Sequence, residues 1–282
     1  MAAAKGQKDP LYLTILIYTI LIVVTLITVY PIVRVIGISL RPGDMLHTTS
    51  LRLIPENATL ASYRELFFNQ PFLRWLANST LVSFTVTILG VSLASTAGYA
   101  FSRYRFIGRE VGMIAVITTQ MFPVTMLLLP LFLMLLHLKI YDTFLGLVIA
   151  YSATALPFCI WQMKGYYDTI PVSLEEAARI DGCTQWRTFY LIVLPLASPA
   201  LVITALFSFM SAWSEYLVAA VLINDKSLYT LPLGLKLFQS AFETQWGLYS
   251  AGAVVVSIPV MILFLMLSRW LVSGLTLGSV KG

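Results

Sequence analysis

Charge is what this chain has least of. Asp, Glu, Lys and Arg make up 11% of its 282 residues, against about 25% in ordinary soluble domains, and its mean hydropathy is +0.85. That scarcity excludes a soluble globular domain as the default class. Cysteine is rarer still. Cys159 sits in an apolar run and Cys183 in a polar one, which provides neither a disulfide framework nor a metal site. The two histidines, His47 and His137, lie in separate segments without ligand partners. Also missing are a Gly-x4-Gly-Lys-Ser/Thr phosphate loop, a His-Glu-x-x-His pair and a Gly-x-Ser-x-Gly elbow. Energy for any active process must therefore come from an ion gradient or from another protein. The net charge of +5 does not point to nucleic acid, because in so apolar a chain basic residues mark loop orientation.

What the chain does have is long apolar runs. With about 20 residues needed per crossing, six spans emerge, near 11–33, 76–101, 111–136, 144–163, 199–223 and 248–272. Tyr30-Pro31 closes the first, and Pro123 and Pro130 bend or break the third. The first run is too long for a cleaved signal segment and reads as a retained span. The expected fold is a single all-α membrane domain over 1–282, with six transmembrane helices. The basic residues Lys5, Lys8, Arg103, Arg105, Arg109, Lys164, Arg179, Arg187, Arg269 and Lys281 place both termini, and the polar loop 164–195, on the cytoplasmic side. Arg41, Arg52, Arg64 and Arg74 in the first outer loop count against this, but acids partly offset them and longer loops weigh less.

Ionisable groups inside spans mark function by default. Here Glu215, in Ser211-Ala-Trp-Ser-Glu-Tyr216, is the one convincing case, with Gln120 the next polar candidate. A lone carboxylate is thin support for a proton relay. A carboxylate hydrogen-bonded to a neighbouring helix, or placed near the outer interface, is the favoured reading of Glu215, ahead of direct substrate contact. The aromatic rings of Tyr151, Trp161, Trp213 and Tyr216 can stack on a ligand, although such rings near span ends more often anchor the interface.

The most polar run between two apolar segments is Ser173 to Pro195, Ser-Leu-Glu-Glu-Ala-Ala-Arg-Ile-Asp-Gly and onward. Pro171 breaks the preceding helix, and Ser173 with Glu176 three residues on fits a capping box. Glu175 and Glu176 suit the positive end of a helix dipole, and Gly182 supplies a left-handed stop after about two turns. An amphipathic helix lying on lipid would be more basic and bulkier than this one. Ala177 and Ala178 instead offer a small surface for close approach by another protein. A short charged helix between spans reads as a docking element.

The pattern Glu176-Ala-Ala-x3-Gly182-x9-Ile192-x-Leu194-Pro195 resembles the EAA loop of ABC-importer permeases in residues and spacing. Further stretches are similar to the MalG-like subgroup of carbohydrate importers. They are Tyr141-Asp-Thr-x2-Gly146, Leu156-Pro-Phe-x2-Trp161, Ile170-Pro171, Trp213-Ser-Glu-Tyr216 and Gly274-Leu-Thr-x-Gly-x-Val-Lys-Gly282. Ser214 departs from an Asn frequent in that subgroup. The resemblance covers nearly the whole chain and implies a type I ABC importer permease fold. It implies a second, MalF-like permease, a dimeric cytoplasmic ABC ATPase and an extracytoplasmic solute-binding protein as partners. The chain itself would carry no cofactor, ATP and Mg belonging to the ATPase. The coupling residues by position are Glu175, Glu176, Ala177, Ala178, Asp181 and Gly182. Candidates for the translocation path are Gln120, Tyr151, Trp213, Glu215 and Tyr216. In this subgroup the loop near 224–245 reaches into the binding protein, and the final tail touches the ATPase. The same EAA loop serves permeases for other solutes, which is the nearest alternative. An ion-coupled carrier would need several buried charges and internal repeats, and neither is evident.

Overall fold

The structure, a computed structural model, describes residues 11–43, 53–239 and 244–277, with side chains as far as Ser268. Lys5, Lys8, His47, Arg52 and the end of the tail motif, Lys281 included, lie outside the described residues, as do 240–243 of the loop expected to meet a binding protein.

The described chain is helical because, in an apolar run, every backbone N–H and C=O must be bonded within its own segment. In chain order the helices begin with α1 Leu11–Ser39, α2 Ala61–Phe68, α3 Phe72–Arg103, α4 Arg109–Thr119 and α5 Val124–His137. Next come α6 Phe144–Tyr167, α7 Val172–Ile180, α8 Gln185–Thr188, a π turn Phe189–Val193 and α9 Leu194–Leu196. The last are α10 Ser198–Ser214, α11 Leu217–Leu222, a 3-10 turn Lys226–Leu228, α12 Leu231–Lys236 and α13 Trp246–Leu277. Among the described residues four helices, α1, α3, α6 and α13, are long and apolar enough to cross a membrane. Two bent pairs bring the number to as many as six if each is one span, α4 with α5 at 105° and Gln185–Leu196 with α10 at 78°. Among the described residues the only β pairing is an isolated bridge between Gln239 and Thr244.

Proline acts unequally. Pro123 is extended at φ −58° and ψ 133° and separates α4 from α5, as its sequence position predicts. Pro31, expected to close the first span, does not. α1 continues through it to Ser39, since losing one backbone bond is cheaper in apolar surroundings than leaving the helix. Pro130, Pro157 and Pro259 also sit inside helices. The fifth run, read as one span, breaks at Glu215 between α10 and α11 with no proline or glycine at the break.

The chain forms two compact units, Met1–Asn69 with Phe238–Val255, and Gln70–Leu237 with Val256–Gly282. In the first, the Ser39 hydroxyl lies 2.8 Å from the Tyr63 hydroxyl, and the Thr59 amide donates to the Leu40 carbonyl at 2.8 Å. The second is built on α3, which packs against both α6 and α10. Gly90, Ala94 and Gly98 recur every four residues and are all buried, the small-residue stripe that lets helix backbones approach in lipid. A Cβ on Gly90 would stand 2.6 Å from the Ser208 hydroxyl, and one on Gly98 2.8 Å from Met163 Cβ. One apolar cluster gathers Val82, Val86, Leu147, Tyr151, Ala212 and Val218. A second gathers Ala94, Cys159, Met163, Tyr167, Phe189 and Val193.

The stretch Tyr141-Asp-Thr-x2-Gly146 now has physical content. Thr143 caps α6 by accepting from the Gly146 amide at 3.1 Å. Asp142 accepts from the backbone amides of Asn224 (2.9 Å) and Asp225 (3.1 Å), and Tyr141 pairs with the Asn224 side chain at 2.6 Å. At the start of α3, Asn78 donates to the carbonyls of Ser227 and Tyr229, both at 2.9 Å. Ser79 accepts from the Leu231 amide at 2.7 Å. The segment after α11 is thereby fastened to α3 and to the α5–α6 turn.

Candidate functional site: an anchored surface helix

Helix α7 begins at Val172, with Pro171 at the N-cap and no side-chain cap bond. The expected capping box is therefore not formed. Pro171 occupies the cap position, and Ser173 falls inside the first turn instead of before it. The end is as expected. The Cys183 amide donates to the Ala178 carbonyl at 2.9 Å and the Gly182 amide to Arg179 at 3.0 Å, with Gly182 at φ +86°. That is a Schellman closure, which requires a residue tolerant of the left-handed region. Beyond it Thr184 caps α8, its hydroxyl accepting from the Arg187 amide at 3.4 Å. Pro195, which cannot donate to the Leu191 carbonyl, follows the π turn that leads into α10.

The two glutamates of α7 part company. Glu175 is turned inward with a side chain 3% exposed, against Arg103, 10% exposed. Its Oε1 accepts from Arg103 Nε at 2.5 Å and its Oε2 from the Tyr99 hydroxyl at 2.6 Å. Arg103 also donates through Nη2 to the Ile170 carbonyl at 2.8 Å and through Nη1 to the Ser102 hydroxyl at 3.0 Å. Ser102 in turn donates to Asp168 at 2.7 Å, whose other oxygen meets Lys164 at 2.6 Å. Burial alone would raise the Asp168 pKa, but the bonds from Lys164 and Ser102 outweigh it and hold the carboxyl below the ordinary aspartate range. Removing one member of a buried pair such as Glu175 and Arg103 typically costs about 3–5 kcal/mol, because the other charge stays buried and unmatched.

The six expected coupling residues thus divide. Glu175 and Ala178, one turn apart, are buried, while Glu176, Ala177 and Asp181 are exposed and Gly182 ends the helix. Glu175 faces inward and ties the first turn of α7 to the end of α3. Ile180, 86% exposed, and Trp186, 68% exposed, extend the outward face. Between α8, the π turn and the end of α3 lies a cleft of about 190 Å³ lined by Thr96, Tyr99, Tyr104, Trp186 and Phe189. Tyr99 and Arg103 were not singled out as site residues from the sequence, where Arg103 served only as a marker of orientation. The available signal was an arginine and a tyrosine four residues apart at the end of an apolar run.

The path candidates are dispersed. Tyr151 is buried and its hydroxyl donates to the Glu215 carbonyl at 3.3 Å. Trp213 is buried, stacked on Phe209, with its indole N–H donating to the Val256 carbonyl at 3.1 Å. Both rings are buried and hydrogen-bonded within the chain. Gln120 sits at the α4–α5 break, donates to the Thr154 carbonyl at 3.1 Å and lines an open cavity of about 140 Å³. Glu215 accepts from the Val218 amide at 2.9 Å, capping the start of α11, and Tyr216 beside it is half-buried. A Glu215→Gln variant keeps an oxygen to accept that bond, so it should retain most transport activity. Glu215→Ala should lose about 1 kcal/mol of stability with the cap. A changed ligand preference in Glu215→Gln uptake assays would place this side chain on the path instead. Among the described residues, no group of three His, Cys, Asp or Glu side chains could hold a metal ion.

A helical membrane protein with four to six candidate spans, and a short anchored helix presented between them, has the build of a transport permease. Residues 87–276 match the family of binding-protein-dependent transport system inner membrane components, and the chain belongs to that family. It is similar to the maltose/maltodextrin transport system permease protein MalG of Vibrio vulnificus (strain YJ016), 37% identical over 273 residues, covering 90% of this chain and 91% of that one. The MalG protein of Escherichia coli (strain K12) is 36% identical, covering 100% of this chain and 99% of that one. The same fold appears in a crystal structure of a bacterial ABC transporter that imports the acidic polysaccharide alginate. The match has a TM-score of 0.81 and 24% identity, and covers 95% of this chain and 100% of that one.

Proposed function

We propose that this chain is a transmembrane subunit of an ATP-driven importer that passes a sugar or oligosaccharide from an extracytoplasmic binding protein into the cytoplasm. The carrying observation is α7, a capped helix whose inward glutamate is anchored while Glu176, Ala177 and Asp181 remain free to meet another protein. Full-length similarity to maltose/maltodextrin permeases supports the cargo class. In this reading six spans place both termini and α7 in the cytoplasm. A dimeric ABC ATPase docks on α7, and a second, MalF-like permease completes the path. The segment 224–245 faces the binding protein. ATP and Mg bind the ATPase and not this chain.

The reading predicts that the purified chain neither binds nor hydrolyses ATP. Reconstituted with its ATPase and partner permease in proteoliposomes, it supports ATP-dependent accumulation of labelled oligosaccharide only when the liganded binding protein is supplied. ATP turnover by the chain alone, or accumulation driven by an ion gradient without ATP, would refute it.

A further inference from the structure

We infer that Glu175, Arg103 and Tyr99 are positioning residues that lock α7 to the end of α3, making α3 the rod that carries motion of α7 to the segment around 227–231. This rests on the reading of α7 as the ATPase-docking helix. Three features of the geometry support it. First, the lock fixes direction as well as distance. Both carboxylate oxygens of Glu175 are engaged by different donors of α3, and the guanidinium also holds the Ile170 carbonyl, just ahead of Pro171 at the entry to α7. A planar guanidinium gripping α7 at its first turn and at its entry leaves little freedom to swivel. Second, the lock is shielded, with the Glu175 side chain 3% and the Arg103 side chain 10% exposed, so water does not readily replace its bonds. Third, α3 is one unbroken helix of 32 residues, about 48 Å long at 1.5 Å per residue, and its first turns are fastened as firmly as its last. Asn78 holds the Ser227 and Tyr229 carbonyls and Ser79 the Leu231 amide, while Trp75 packs so tightly on Gly234 that a Cβ there would stand 2.2 Å from the ring. By contrast α4–α5 and the approach to α10 are bent sharply at breaks, which suits them to hinging. The unbroken helix suits transmission.

The test uses the complete transporter in proteoliposomes and reads the ratio of ATP turnover with liganded binding protein to turnover without it, beside the amount of assembled complex. Glu175→Gln, which keeps shape but not charge, should assemble and lower that ratio about tenfold or more, with Glu175→Asp restoring part of it. Asn78→Ala, at the other end of the rod, should lower the same ratio with the ATPase still bound. If Glu175→Gln does not assemble, Arg103→Lys decides, because it keeps a positive charge but loses the planar grip on Ile170. An assembled Arg103→Lys complex with a reduced ratio supports the rod, and an unchanged ratio overturns it. Unchanged stimulation in Glu175→Gln, or in Asn78→Ala, likewise overturns it. Glu176→Lys separates the two levels. If it leaves the ATPase bound, the docking reading itself fails; if it releases the ATPase while Glu175→Gln keeps full stimulation, only the rod fails.

Discussion

Uptake should fall to background in a Glu176→Lys variant, while the chain should still insert in the membrane at the normal level. Glu176 is exposed on α7, and among the described residues its side chain makes no hydrogen bond or ion pair. Replacing such a surface residue changes stability by about 0.5 kcal/mol or less, so the fold survives. The docking surface does not, because a carboxylate has become an ammonium where an ATPase is proposed to bind. Loss of a desolvated charge pair in an interface costs about 2–5 kcal/mol, which is at least about a 30-fold loss of affinity. The checks are oligosaccharide uptake and recovery of ATPase with the purified permease. Normal uptake would remove α7 as the coupling element. The neighbouring residue should behave otherwise. Glu175→Ala strips a buried carboxylate from Arg103 and Tyr99, so its first symptom is lost stability.

Gly98→Leu is expected to lower stability by about 3 kcal/mol or more. In most helices replacing glycine gains about 1 kcal/mol of propensity. Here even a Cβ would lie 2.8 Å from Met163 Cβ and 3.0 Å from the Lys164 amide nitrogen, so α3 and α6 would have to separate along the stripe that joins them. Gly165 is the control. It lies in the last turns of α6, exposed, with nothing within 4 Å of a built Cβ, and Gly165→Ala should raise stability by about 1 kcal/mol. Melting of the detergent-purified chain would show opposite shifts for the two glycines. Equal shifts would deny the close contact of α3 with α6.

Some of this was legible in the residues and some was not, and the division has physical causes. Long apolar runs read as helices because an apolar solvent leaves the backbone no other state, and Pro123 marked a break because it follows a helix already ending at Thr119. Pro31 misled, since a proline ends a helix only when leaving it is cheap. The break at Glu215 carried no punctuation; it is held open by the carboxylate bonding to Val218 and the Tyr151 hydroxyl bonding to the Glu215 carbonyl, partners the local sequence does not reveal. On α7 the glycine stop was readable because only local backbone geometry is involved. Which of two adjacent glutamates faces inward was not, because that depends on Tyr99 and Arg103, more than seventy residues earlier in the chain. The same limit applied to Trp213 and Tyr151, whose hydrogen-bond partners, the Val256 and Glu215 carbonyls, lie more than forty residues away in the chain.

The most direct test of the account is site-specific photo-crosslinking from α7 in the intact membrane. A crosslinker placed at Ala177, on the exposed side of the helix, should form an adduct that mass spectrometry identifies as an ABC ATPase subunit. The same group at Ala178, which is buried against the chain itself, should give no such adduct. Adducts from Ala177 with lipid alone, or equal ATPase adducts from both positions, would contradict the proposal that α7 is the face by which a separate ATPase moves this permease.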